Sequence, residues 1–314
     1  MKNCLTVPFS HSNELSAFLS QLGFQVDIVQ ITKGNLQGSC SISIDTEITY
    51  LCIQSNQGLN FFGEYRPQTI TIAIETSTNR EYSKIQGENL PLSCMAGYGT
   101  NKDAILYSVS PGSCIFFMLL PSICFHGFSH QLSGEKVIDI LQNSNILKLQ
   151  PSHFTHLTSI CKQKLLGGAE GSHNAHSNHD FMLLIHDIMA SNAAIPGSYH
   201  TKNVDRSLIH QFMRLAVDDE LIHPVTINDI SKKLFTSKTN LSTHVRKAIG
   251  LSPMSFIKCA RLEQVRQNLL RQQSNASVTE IANRFGFTSR GHFARDYKEL
   301  FGERPSDTII KNIA

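Results

Sequence analysis

The sequence predicts an α+β chain, with a β-rich, barrel- or sandwich-like N-terminal unit followed by an all-α C-terminal unit. Three observations predict it. Apolar residues recur with the period of strands between about residues 26 and 117, the period lengthens to that of helices from Ser133 onward, and the last hundred or so residues hold two similarly capped pairs of short helices. With 314 residues and 41% apolar content, the chain is long enough for two domains, each with its own core.

Strand-period segments fall at 26–31, 40–44, 48–53, 69–74 and 105–109, with turn residues between them at Lys33-Gly34-Asn35, Asn56-Gln57-Gly58, Arg66-Pro67 and Pro111-Gly112. Short strands at near-regular spacing suit a barrel or sandwich, which encloses a cavity or a packed core. From Ser133, Val137, Ile138, Ile140 and Leu141 fall on one helical face, and further helical runs follow at about 154–166 and 181–190. These elements define a regulatory domain over 1–194, a linker over 195–204 around Pro196-Gly197, and a third segment over 205–314.

Composition narrows the function classes. No run of eighteen apolar residues occurs and the N-terminus lacks an apolar signal core, so the expectation is a cytoplasmic protein with no membrane partner. Eight cysteines are scattered singly without a C-x-x-C pair, and they read as reduced, buried small hydrophobes. His173, His176 and His179 stand three apart in a Gly/Ser/Asn-rich stretch whose one acidic neighbour is Asp180, so neither a metal nor a cofactor is predicted there. Charge is unevenly divided. Residues 205–314 hold 17 Lys+Arg against 11 Asp+Glu, whereas 1–204 hold 11 against 14. A basic C-terminal unit thus follows a mildly acidic front unit, but a surplus this modest is ordinarily a matter of surface solubility, so charge alone does not assign a nucleic-acid partner.

The C-terminal pattern is specific. Thr226-Ile227-Asn228-Asp229 opens a short helix with a T-x-x-D capping pattern and sets Ile227, Ile230 and Leu234 on one face. After a break at Phe235-Thr236, Ser237 opens a second helix. There Leu241, Val245 and Ala248 face inward and Lys238, Thr239, Ser242, Thr243, Arg246 and Lys247 face outward, until Gly250 ends it. About fifty residues later the arrangement recurs. Ser277-Val278-Thr279-Glu280 is a capping box, Gly286 stops the first helix, and Ser289 opens another. Phe293 and Tyr297 face the core of that helix, and Arg290, His292, Arg295 and Lys298 line its other side. An amphipathic helix over 253–271 would join the two units. Two helix-turn-helix units in tandem, each exposing short polar side chains and cations on its second helix, are what major-groove recognition requires.

These residues resemble the AraC/XylS family of transcription regulators. The resemblance is carried by Arg261-Leu262, Leu269-Leu270, Ser277-Val278-Thr279-x-Ile281-Ala282, Gly286-Phe287-x-Ser289, Phe293-x-Arg295-x-Tyr297-Lys298 and Phe301-Gly302-x-x-Pro305. The front domain is similar, more loosely, to ethanolamine-operon-regulator-like sensors. The family resemblance implies DNA-binding regulators, activators among them, that insert successive recognition helices into adjacent major grooves of double-stranded DNA. It also implies RNA polymerase as a partner, together with a small-molecule effector and a second copy of the chain at the front domain. Three departures stand out. Gly291 replaces a usual polar residue at about 1 kcal/mol in helix propensity, Val265 stands where alanine is common, and Thr308 where an aromatic is. A regulator whose front domain only dimerises or binds a partner protein remains an alternative reading. A cupin-like enzyme is a remote one, since residues 26–117 contain no histidine to hold a metal, and no catalytic residue is predicted.

Overall fold

The computed structural model describes residues 4–45, 47–64, 68–99, 104–132, 135–166, 178–191, 206–217, 226–271 and 276–313. The expected linker and two of the three spaced histidines, His173 and His176, lie outside the described residues. Two antiparallel sheets form the front of the molecule. The first has seven strands in the order β1-β3-β4-β11-β6-β9-β12, namely Cys4–Phe9, Gly38–Asp45, Ile48–Ser55, Ser113–Pro121, Thr69–Glu75, Cys94–Ala96 and Ile146–Lys148. The second has five, β2-β5-β10-β7-β8, from Val26–Gln30, Leu59–Gly63, Ile105–Val109, Lys84–Ile85 and Glu88–Asn89.

The central strands of the sheets are buried on both faces, which is why strands such as Tyr50-Leu51-Cys52-Ile53 read as apolar runs rather than as alternation. Alternate residues of β4, β6 and β11 serve two cores. Leu51, Ile53, Ala73, Ile115 and Leu119 face the second sheet. Tyr50, Cys52, Ile72, Ile74, Phe116 and Met118 pack under α2 (Ser122–Gln131), α3 (Glu135–Asn143), α4 (Pro151–Leu166) and α5 (Asn178–Ser191). α1 (Ser12–Gln21) lies against β2.

The five-stranded sheet is a wall between two cores. Ile28, Phe61, Ile85 and Tyr107 point toward the first sheet, whereas Val29, Ile31, Phe62 and Leu106 join the core of the helical C-terminal part. That part comprises α6 (Arg206–Val217), α7 (Ile227–Lys233), α8 (Lys238–Ile249), α9 (Pro253–Leu270), α10 (Val278–Arg284), α11 (Arg290–Phe301) and α12 (Pro305–Ile313). The described residues thus stack as helices, sheet, sheet and helical unit.

α9 departs from the sequence expectation. It is not amphipathic, because Glu263, Gln264 and Arg266 are buried along with Phe256, Ile257, Leu262, Val265 and Leu269. The physical reason is that α6, α8, α10, α12 and β2 pack around it, so its exposed residues are confined to Met254, Ser255 and Lys258 near its start.

Candidate nucleic-acid interface

Local capping chemistry positions the first unit. The Asp229 amide donates to Thr226 Oγ1 at 3.3 Å and the Thr226 amide donates to Asp229 Oδ2 at 2.8 Å, closing a reciprocal box. The Thr226 hydroxyl, which donates to Asp229 Oδ2 at 2.6 Å, and then the Thr226 amide hold the Asp229 carboxyl below its ordinary value. Ser237 Oγ accepts from the Asn240 amide at 3.1 Å to start α8. Gly250, at φ 90°, ends α8 in the left-handed region. Leu241, Val245, Ala248 and Ile249 are buried, so the opposite face is fixed outward.

The second unit repeats this plan. The Ser277 and Glu280 box closes at 2.6 and 3.2 Å. Gly286 turns the chain at φ 83°, and α11 buries Phe293, Tyr297, Leu300 and Phe301 before Gly302 ends it at φ 73°. Ser289 occupies the cap position of α11 without a side-chain cap bond.

The two turns differ in length by one residue and in the residue that follows the C-cap of the first helix. Where the second uses Gly286, the first places Phe235 at φ 49° with its ring 99% exposed. A side chain in the left-handed region costs about 1–2 kcal/mol, and here no burial offsets it. Phe235→Gly is therefore expected to raise unfolding stability by about 1 kcal/mol in urea denaturation. A loss of stability would contradict this reading of the turn.

The structure brings the sequence-predicted residues to two exposed helix faces. Lys238, Thr239, Thr243 and Arg246 are exposed on α8, with Ser242 and Lys247 half-buried. Thr243 Oγ1 bonds back to the Thr239 carbonyl at 2.9 Å, which takes up its donor. On α11, Arg290, His292, Arg295 and Lys298 are all exposed. Arg290 is oriented across the turn by Nε and Nη2 bonds to Thr279 Oγ1 at 3.2 and 2.9 Å. Arg295 does not pair with Glu299, the competing role that four-residue spacing offers it. Glu299 is taken by Lys33 of the front domain at 2.6 Å, and Arg295 lies 3.9 Å from Asp296.

Arg290, Arg295 and Lys298 share a groove of about 550 Å³ with Thr279, Asn283 and Arg304. Arg304 was not singled out by sequence reasoning. Its only signal is its position just before Pro305, at the entry to α12.

A buried network sets the angle of α11. Arg266, 1% exposed, donates through Nη2 to Glu303 Oε1 at 3.0 Å and lies 4.3 Å over the Phe301 ring. Thr308 Oγ1 bonds Glu303 at 2.8 Å and the Tyr297 hydroxyl at 2.7 Å. This explains Thr308, since a hydroxyl here completes a chain of hydrogen bonds that an aromatic side chain could not.

The front domain touches the C-terminal ends of both second helices. Lys84 Nζ donates to the Lys247 carbonyl of α8 at 2.9 Å, a cation at the negative end of a helix dipole. Burial is the main reason the Lys84 ammonium is held below its usual value, with Lys247 adding to it. On α11, the Leu300 carbonyl accepts from Gln30 Nε2 at 2.7 Å and from the Gly34 amide at 3.0 Å. The Gln30 amide donates to Glu263 Oε1 of α9 at 3.2 Å, and burial pushes the Glu263 carboxyl up. Gly302 packs so closely on Asn35 that a Cβ would come within 2.9 Å of its backbone nitrogen.

Comparison with known proteins agrees with this geometry. Residues 230–309 match the family profile described as Helix-turn-helix domain. The "Probable thc operon regulatory protein" of Rhodococcus erythropolis is 29% identical over 187 residues, covering 58% of this chain and 46% of that protein. "XylDLEGF operon transcriptional activator 3" of Pseudomonas putida is 34% identical over 94 residues, covering 30% of this chain and 28% of that protein. The chain thus spans less than half the length of these two relatives. The crystal structure of a probable AraC family transcriptional regulator from Rhodopseudomonas palustris CGA009 matches 34% of this chain and 98% of that one, at 29% identity and a TM-score of 0.31. No helix of the described residues is long and apolar enough to cross a membrane. With its two capped helix-turn-helix units and the profile that matches them, the C-terminal part of this chain is a helix-turn-helix DNA-binding domain, similar to those of AraC/XylS-type regulators.

Proposed function

We propose that the chain is a cytoplasmic, sequence-specific transcription regulator, whose helices α8 and α11 enter adjacent major grooves of double-stranded DNA under the control of the front domain. The observation that carries this reading is the pair of exposed helix faces, polar and cationic, on α8 and α11, in two helix-turn-helix units joined by α9. In this reading Lys238, Arg246, Lys247 and Lys298 meet phosphates, and Thr239, Ser242, Thr243 and His292 approach base edges with shorter reach. Arg290 and Arg295 supply most of the sequence discrimination. RNA polymerase is the partner through which bound protein acts on transcription.

Control by the front domain is supported by the wall sheet. Its neighbouring residues face opposite ways, Phe61 and Ile85 toward the cavity between the sheets, and Phe62 and Lys84 toward the DNA-binding part. The cavity holds about 80 Å³ and is lined by Leu51, Phe61, Ile85, Tyr107, Phe117 and Leu119. That lining suits a small apolar effector, well below the ~300–1,000 Å³ of pockets for drug-sized ligands. Self-association is the second reading for the front domain, favoured by Leu5 on the edge strand β1 and nearby Ile44, which are 53% and 61% exposed.

The test is a salt titration of full-length protein on duplex DNA. With the four phosphate contacts assigned above, log K should fall against log salt with a slope of about −4. No measurable binding at low salt, or binding indifferent to salt, would overturn the reading.

A further inference from the structure

We propose that Cys52 and Cys114 form an oxidisable dithiol, which a hydroperoxide converts to a cross-strand disulfide in the seven-stranded sheet. The sequence separates these residues by 62 positions, and strand pairing brings them together. In the β4–β11 register Cys52 stands opposite Phe116 and Gln54 opposite Cys114. The two cysteines are therefore diagonal neighbours on one face, with sulfurs 3.8 Å apart.

Their surroundings divide the roles. Cys52 is buried in the apolar core beneath the helices, while Cys114 is half-buried at its margin. Cys114 Sγ faces the Cys52 thiol, Gln54 Nε2 at 3.7 Å, and the Thr76 hydroxyl, with the Lys162 ammonium nearby on α4. Every one of these favours a thiolate on Cys114. The Cys52 hydrogen bond is the largest cause of its lowered pKa, and Thr76, Gln54 and Lys162 act in the same direction against burial. That same bond, together with burial, keeps Cys52 protonated. By contrast, burial pushes Cys40, Cys94, Cys161 and Cys259 up to about 12. Cys124 is also raised, by burial and then by Glu47.

The chemistry follows. The Cys114 thiolate attacks one oxygen of the hydroperoxide. The O–O bond breaks, the departing oxygen leaves as an alcohol or water after taking a proton, and Cys114 becomes a sulfenic acid. Cys52 then attacks the Cys114 sulfur, the S–O bond breaks, and water leaves with the proton that Cys52 gives up. Two electrons pass from the pair of sulfurs to the peroxide. Bond formation needs the sulfurs to close from 3.8 Å to about 2.05 Å, a movement within side-chain rotation and local strand twist.

The experiment treats reduced full-length protein with hydrogen peroxide, blocks remaining thiols by alkylation, and maps peptides without reduction. The expected result is a linked pair of peptides carrying Cys52 and Cys114, formed at least about tenfold faster than any other cysteine is modified and reversed by dithiothreitol. Cys52→Ser should trap Cys114 as a sulfenic acid that dimedone labels, and Cys114→Ser should abolish the reaction. Modification of Cys114 no faster than of the other cysteines would overturn the proposal. So would sulfinic acid on wild-type Cys114 without the link. The wild-type map decides the matter even if a variant fails to fold.

Discussion

Replacing Arg266 with alanine is expected to remove about 3–5 kcal/mol of stability, the cost of leaving a buried charge without its partner. Arg266 and Glu303 are 1% and 7% exposed at the side chain. With the guanidinium gone, Glu303 loses this buried ion pair while still accepting from the Thr308 hydroxyl, and Glu263, whose carboxyl Arg266 also stabilises, is left more strongly opposed by burial. The stacked contact on Phe301 is lost as well. Glu303→Gln should cost less, because its amide oxygen can still accept from Thr308 and from Arg266. Urea denaturation of the full chain measures both. A loss below about 1 kcal/mol for Arg266→Ala would mean that the network does not hold α11 on α9.

The second large effect concerns reading of sequence. Arg290→Ala or Arg295→Ala should lower affinity for a duplex selected from a randomised pool by about 1–3 kcal/mol, with a smaller loss on unselected DNA. Arg290 is already oriented by Thr279, so its guanidinium approaches a guanine edge with less freedom to lose. Arg295 gains availability from the front domain, because Lys33 occupies the carboxylate that would otherwise compete for it. Lys247→Ala should weaken both kinds of binding alike and reduce the salt slope by about one.

Much of this site was legible in the sequence, because its determinants are local. Ser277 and Glu280, three residues apart, specify a helix start wherever they occur, and Gly250, Gly286 and Gly302 mark stops that need positive φ. The apolar spacing of Leu241 and Val245 then fixes which face of α8 is outward. The strands at 48–53 and 105–109 were legible for the same reason. What could not be read depends on contacts distant in sequence. The burial of Glu263 and Arg266 follows from five neighbours around α9, and the bonds of Gln30 and Lys84 to the helix ends span more than 160 residues. β5 and β11, buried on both faces, carry no alternation to mark them. Cys52 and Cys114 looked like scattered small hydrophobes because only the register of β4 on β11 makes them a pair.

The most direct test of the central claim is methylation protection of guanine N7 on the selected duplex, bound by full-length protein and by the Arg290→Ala and Arg295→Ala variants. Two protected windows are expected on one face of the duplex, about 10–10.5 base pairs apart, as two recognition helices in successive major grooves require. The arginine variants should lose protection in the window read by α11 and keep the other. A single protected window in the wild type, or loss of both windows together in a folded arginine variant, would contradict the account.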